Sequence, residues 1–426
     1  MEALDPESSK SSTDQEQGSF ARAVSSLKEP GFRVFLLGQA AALQGTWVQG
    51  TAQRWLVLEL TDSTFLVGVL GAVAGLPILL FALAGGLIAD RLPRITFLII
   101  VQSVIALQAL VFGLLVQTGS IEFWSVLALA FILGSGISFE VPARQALLFN
   151  LVGRSRITNG IALHSTAFNL ARFGGPALAG FMIQAGFMAG CFYFKAASAL
   201  CVIASLIYVL RRYSSFNRPL ERKEGSILSD IKEVVGFVRG HRLLSRILPL
   251  ITCFGIFLLP YSMLLAPLGR DVLGLNARDY GLLCAANGLG ALIGALFVAA
   301  RGHVGNRVSW WWRGAAAFPA SIILLSLGKG FWDSSALLFI SGFIMVTAST
   351  SAMSLLQIET PDHLRGRIMG LFSTCFMGLF PLGSLLNGFL GQNLGIRQTF
   401  FITGSIGLAA ALVGLFSYRG SKVGAA

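Results

Sequence analysis

Charge is scarce in this chain: only 12% of its 426 residues are Asp, Glu, Lys or Arg, too few for an ordinary soluble protein of that length. Cysteine is limited to Cys191, Cys201, Cys253, Cys284 and Cys375, all inside apolar runs and without metal-ligand spacing, so they read as small core residues. There is no H-E-x-x-H and no G-x4-G-K-S/T phosphate loop, and "TGSIG" at 403–407 lacks the first glycine of G-x-S-x-G. These absences argue against a membrane-embedded enzyme or an ATP-driven pump, and no metal or cofactor is called for.

Apolar sequence is abundant, with 54% hydrophobic residues and a mean hydropathy of +0.73. Twelve runs approach the roughly 20 residues that span a bilayer core: 34–58, 64–88, 95–118, 123–148, 158–183, 189–210, 247–267, 279–300, 311–328, 334–357, 366–391 and 397–418. The alternation of a membrane β-barrel is missing, which leaves helices as the way to satisfy the backbone in lipid. The expected fold is therefore an all-α membrane protein of twelve transmembrane helices.

Residues 1–29 are rich in Ser, Glu, Asp and Gln and read as a disordered cytosolic tail. A polar stretch at 211–246 separates six spans from six, predicting a bundle at 30–210, a linker, a bundle at 247–418 and a short tail at 419–426. Within the linker, Ile227, Ile231, Val234, Val235 and Val238 have the spacing of an amphipathic helix. At a shift of 208 residues, Leu163, Ser165, Thr166, Phe168, Gly175, Gly180 and Phe181 recur as Leu371, Ser373, Thr374, Phe376, Gly383, Gly388 and Phe389. Parallel six-helix repeats of this kind predict two pseudo-symmetric bundles.

The formal charge of +12 follows from topology. With both termini on one side, 25 of the basic residues fall on that side and six (Arg54, Lys195, Arg270, Arg278, Lys329, Arg397) on the other, leaving Arg172 alone in mid-membrane. The positive-inside rule then predicts an inner-membrane protein with both termini cytoplasmic. Nucleic acid is not needed as a partner.

After the second span, "GGLIADRLPR" sets Gly86, Asp90, Arg91 and Arg94 in a G-x-x-x-D-R-x-x-R frame, with Pro93 where a glycine is usual. In the fifth, "ALHSTAFNLARFGGPALAG" places Gly175, Pro176 and Gly180 in a G-x8-G-x3-GP-x2-GG frame, with alanine at three glycine positions. The first motif resembles the gate signature of the major facilitator superfamily and the second its antiporter signature. With "GTWVQGTAQRWLVLELTDS", "VPARQALLFNLV" and "TPDHLRGRIMGLFSTCFMGLFPLGSL", nearly the whole chain is similar to the enterobactin-exporter-like, or transmembrane secretion effector, branch of that superfamily. The resemblance implies a monomeric, proton-coupled exporter working by alternating access on an amphipathic small molecule, a siderophore or a drug. A lysophospholipid transporter of the same fold, or a membrane sensor or scaffold, is the alternative.

Polar residues within the spans mark the expected site. Gln39, Thr46, Gln49 and Gln53 form a stripe on the first span, with Arg54 near its outer end, while His164, Ser165, Phe168, Asn169 and Arg172 form one on the fifth. Thr347, Thr350 and Ser354 form another on the tenth, and Tyr261 lies on the seventh. The resemblance makes the first, fourth, seventh and tenth spans central, so these residues are expected to line the substrate cavity. Glu140 is the candidate proton carrier, with Arg144 and Arg172 as its possible ion-pair partners. The arginine that proton-linked exporters carry before G-x-G in the fourth span is Ala130 here, ahead of Gly134 and Gly136.

Overall fold

A computed structural model describes residues 25–153, 156–217, 227–300 and 307–423, apart from the side chains of 82–91, 227–232, 419–423 and positions 25 and 158. Among these residues the chain is all helix. The first half comprises α1 (Pro30–Thr61), α2 (Thr64–Arg91), α3 (Arg94–Gln117), α4 (Phe123–Val152), α5 (Ile157–Gln184) and α6 (Met188–Arg212). A surface helix α7 (Ile227–Gly240) leads into α8 (Leu244–Cys253), which continues through a π turn at Phe254–Leu258 and a 3-10 turn at Leu259–Met263. Then come α9 (Ala277–Ala300), α10 (Arg307–Leu325) and α11 (Phe331–Glu359). Helix α12 (Asp362–Ser373) passes through a π turn at Thr374–Gly378 into α13 (Phe380–Leu394), and α14 (Ile396–Val423) closes the chain. Pro260 lies within the 3-10 turn, Pro267 directly precedes a further π turn at Leu268–Val272, and Pro381 follows the turn at Thr374–Gly378; none has an amide to donate to the preceding turn.

Nine helical segments among the described residues are long and apolar enough to cross a membrane, against the twelve expected. The difference is α1, α5 and α10, whose lengths suffice but whose sequences are diluted by Gln39, Gln49, Gln53 and Arg54, by His164, Asn169 and Arg172, and by Arg307 and Arg313. The domain edges also shift. Ser25–Lys28, assigned to the disordered tail, forms a 3-10 turn held by Ser26 Oγ donating to the Arg156 carbonyl (3.3 Å) and by Glu29 pairing with Arg156 (2.9 Å). At the other end α14 runs to Val423, past the expected start of the tail. Residues 1–24 and 424–426 lie outside the described residues.

Pro93 stands at the N-cap of α3 and offers no side-chain cap. Asn217, just beyond α6, supplies one: its Oδ1 accepts from the amides of Ile95 (2.9 Å) and Thr96 (3.2 Å), satisfying donors that a helix start leaves open. Arg94 of the gate frame is buried there; the side chains of Gly86, Asp90 and Arg91 lie outside the described residues.

Within the first half, α1 packs on α5 and α6, α3 on α4 and α6, and α2 on α4. In the second, α11 packs on α9 and α10, and α14 on α10 and α13. The halves meet through two extensive contacts, α5 with α9 and α2 with α13. Both rest on glycine facing glycine. A Cβ at Gly180 would lie 2.8 Å from the Ala277 carbonyl oxygen and 2.9 Å from Gly281 Cα, and one at Gly388 would lie 2.8 Å from Gly68 Cα. Gly180 and Gly388 are mates in the 208-residue repeat, so the internal similarity corresponds to one contact used twice. All four glycines sit near the end of the bundle opposite the one where α1 begins and α14 finishes.

Another pair of repeat mates lies at that same far end. Trp124 and Trp332, each the second residue of its helix, are 74% and 80% exposed, an arrangement suited to the interface between lipid and water.

Overpacking a helix contact costs roughly 1–3 kcal/mol. Gly180→Leu and Gly388→Leu are therefore expected to lower the thermal unfolding midpoint in detergent by several degrees each. Gly236→Leu on α7, with nothing within 4 Å of its added carbon, will leave the midpoint unchanged in the same scan.

Candidate functional site

The glycine contact brings α5 and α9 close enough for side chains to bridge the halves. Arg172 on α5 donates from Nη2 to Asn287 Oδ1 on α9 (2.8 Å), and Asn287 Nδ2 donates to the Tyr261 hydroxyl (2.7 Å) and to the Leu338 carbonyl (3.0 Å). The guanidinium lies 5.8 Å from the Trp47 ring centroid, within cation–π range, and Trp47 meets Phe168 edge-on. Among the described residues, Arg172 is thus held across the interface by neutral groups, with no carboxylate among its bonds.

Closer to the far end, three more contacts join the halves. Arg54 Nε donates to the Tyr280 hydroxyl (3.3 Å), and that ring stacks on Trp55. Arg270 donates to the Leu58 carbonyl (2.8 Å), which also accepts from the capping Asp62 amide (3.0 Å), and pairs with the Asp62 carboxylate (2.9 Å). Asp62 caps α1 at φ 48°, a left-handed position that favours glycine but that Asp tolerates. Gln392 accepts from Ser63 Oγ (3.1 Å) and the Phe65 amide (3.2 Å).

A different polar group lies inside the first half. Arg144 on α4 reaches Gln39 Oε1 (3.4 Å), His164 Nε2 (3.2 Å) and Glu140 (3.8 Å). Lys195 on α6, 3% exposed, donates to Thr46 Oγ1 (3.0 Å) and the Ala42 carbonyl (3.5 Å). Gln49 donates to Gln108 Oε1 (3.4 Å). Lys195, counted above among outer-side residues, is therefore a second cation buried within the helices beside Arg172. Its place follows from a lone charge one and a half turns into "CFYFKAASAL", on the face of α6 that packs on α1.

Of the residues expected to line a cavity, the structure joins Arg172 to Tyr261 through Asn287. Gln39, Gln49 and Gln53 are buried at 1%, 0% and 5% exposure, turned into the first half. At about 100° per residue, the half-exposed side of α1 carries Gln44, Trp47 and Arg54 instead. Asn169 folds back onto the Ser165 carbonyl (2.9 Å) and Thr347 onto that of Ile344 (2.9 Å); Thr350 is exposed, and Ser354 accepts from Arg307 (2.9 Å). Glu140 pairs with Arg144 on its own helix and not with Arg172, because α5 packs chiefly on α1 and α9. Pro176 lies in the α5–α9 contact, its carbonyl 2.5 Å from where a Cβ on Gly281 would be, and Gly175 packs on α1 at Trp47. Asn287 went unnoticed in the sequence; its signal is a single amide in the small-residue run "CAANGLGALIG".

The sequence model of a family described as transmembrane secretion effector matches residues 21–423. The chain is similar to the staphyloferrin A transporter of Staphylococcus aureus, at 24% identity over 89% of this chain and 94% of that one. It is similar to the multidrug efflux pump Tap of Mycolicibacterium fortuitum, at 24% over 91% and 95%, and to the enterobactin exporter EntS of Shigella boydii, at 24% over 85% of each. Among solved structures, it superposes on a POT family transporter in complex with 5-aminolevulinic acid with a TM-score of 0.72, at 13% identity over 92% of this chain and 96% of that one. A bacterial homologue of the lysosomal transporter Spinster, in an inward-facing and unoccupied conformation, gives 0.70 at 13% identity over 91% and 96%. At that identity the two structures speak for the fold alone.

Hydrogen bonds to a charged group contribute about 1.5–3 kcal/mol. A double-mutant cycle of Arg172→Met and Asn287→Leu, read by chemical denaturation in detergent, is expected to give a coupling energy in that range. The same cycle on Arg172 and Glu140, which share no contact, will be additive to within about 0.5 kcal/mol.

Proposed function

Because the chain belongs to the transmembrane secretion effector family of the major facilitator superfamily, a family of multi-pass membrane transporters, we propose that it is a proton-coupled exporter of an amphipathic siderophore or drug. The named relatives, two siderophore transporters and a multidrug pump, support efflux of that substrate type. It works as a monomer in the inner membrane, both termini cytoplasmic, with substrate bound between the 30–210 and 247–418 bundles.

The observation that carries this reading is the Arg172–Asn287–Tyr261 bridge. It spans the halves and is held only by neutral partners, so an anionic or catecholate substrate competes with Asn287 for the guanidinium while Trp47 and Phe168 take its apolar part. Losing the bridge weakens the far-end contact, and the substrate offsets that loss with its own bonds to Arg172. Such a difference in affinity between two states is what shifts a conformational equilibrium. Outward opening also breaks Arg54–Tyr280, Arg270–Asp62 and Gln392–Ser63, while Gly86, Asp90, Arg91 and Arg94 form the gate at the terminal end. Gly175, Pro176 and Gly180 shape the helix that both movements share. Thr347, Thr350 and Ser354 contribute from the second half.

The test is decay of a preformed proton gradient in inverted vesicles on adding erythromycin, ethidium, a tris-catecholate siderophore or a carboxylate siderophore. We expect one of the siderophores to collapse the gradient and Arg172→Ala to abolish the effect. Radiolabelled siderophore flux without any gradient collapse would overturn proton coupling; collapse by ethidium alone, retained in Arg172→Ala, would overturn the anionic site.

A further inference from the structure

The interior of the first half holds more buried polarity than its packing requires. Gln102 and Gln108 on α3 are 1% and 3% exposed, and with Gln49, Gln53 and Arg144 they leave five buried atoms without a hydrogen-bond partner: Gln49 Oε1, Gln53 Nε2, Gln102 Oε1, Gln108 Nε2 and Arg144 Nε. Desolvating such atoms without a partner is unfavourable, and internal water ordinarily satisfies them. Their contacts are ordered along α1. Gln39 meets Arg144, Thr46 meets Lys195, Gln49 meets Gln108, and Gln53 lies beyond, a rise of about 21 Å from first to last at 1.5 Å per residue.

This column has no residue in common with the Arg172 bridge. Gln39, Thr46, Gln49 and Gln53 lie on one side of α1, whereas Trp47 and Arg54 leave from the side facing α5 and α9. Its charged members are Glu140 and Arg144 from α4, His164 from α5 and Lys195 from α6. From α3 come the two amides, with Arg94 buried at the start of that helix, and Arg54 on α1 turns away to Tyr280.

We infer that this column is a hydrated proton path enclosed within the first half and separate from the substrate site between the halves. The inference rests on the proton-coupled reading above. A proton enters as hydronium beyond Gln53, passes along the column by exchange of O–H bonds between waters oriented by the amides, and leaves to water beside Glu140, Arg144 and His164, toward the end where α1 begins. No other bond changes. Lys195, bonded to Thr46 and the Ala42 carbonyl, stands midway along the column.

The experiment uses the full chain in proteoliposomes loaded with a pH-sensitive dye, with erythromycin and a tris-catecholate siderophore as the compounds. In Gln108→Leu and Gln102→Leu, compound-driven proton flux should fall at least tenfold, while exchange of labelled for unlabelled compound without a gradient stays within twofold. Gln108→Asn should recover much of the proton flux. Unchanged proton flux in both Leu variants of a coupled wild type would overturn the path alone, as would exchange falling in parallel with it. Compound flux without proton movement in the wild type would overturn the proton-coupled reading and the path together. Radiolytic hydroxyl labelling of the unmodified protein depends on neither compound nor variant. Phe112, fully buried one turn beyond Gln108, should be labelled by water held beside it, and an unlabelled Phe112 would overturn the path.

Discussion

Two helix contacts, each built on glycine against glycine, hold the halves of this molecule together. Without the backbone approach at Gly180 and Gly281, Arg172 would not reach Asn287; without that at Gly68 and Gly388, Gln392 would not reach the start of α2. Lipid gives no hydrophobic drive for helices to associate, so close van der Waals contact between small residues and a few polar bonds carry the association. Both contacts lie at the same end, and the polar bridges between the halves cluster there with them.

Much of this was legible beforehand. The shift of 208 residues paired Gly180 with Gly388, and the structure gives both the same work. What the repeat left out was the partners: Gly281 and Gly68 lie in helices whose sequences offer small residues at many positions, and only the packing selects among them. Rotation was the harder property to read. The glutamine stripe on α1 looks like a cavity lining because polar residues in lipid normally face water or a partner; here the partners are Arg144, Gln108 and the rest of the first half. A hydropathy pattern tells which side of a helix avoids lipid, but two such directions exist in a bundle built of two halves, the interior of a half and the seam between halves. Gln44, Trp47 and Arg54, at ordinary helical spacing, mark the seam without being more polar than the stripe.

Buried cations are the second theme. Arg172, Lys195 and Arg144 lie within the helices, and Glu140 is the only carboxylate among their contacts. A charge in lipid is usually neutralised or paired. The chain keeps Arg172 among an amide, a phenol and an indole, neutral groups that stabilise a cation without cancelling its charge.

The exposed indoles of Trp124 and Trp332 add a mechanical consequence. As mates in the repeat, they set one exposed indole on each half at the same end of the bundle. Sliding one half along the membrane normal would drag its indole out of the headgroup layer, whereas tilting about an axis in the membrane plane leaves both near their preferred level. In a bilayer such a pair would resist vertical travel of either half while leaving rotation free.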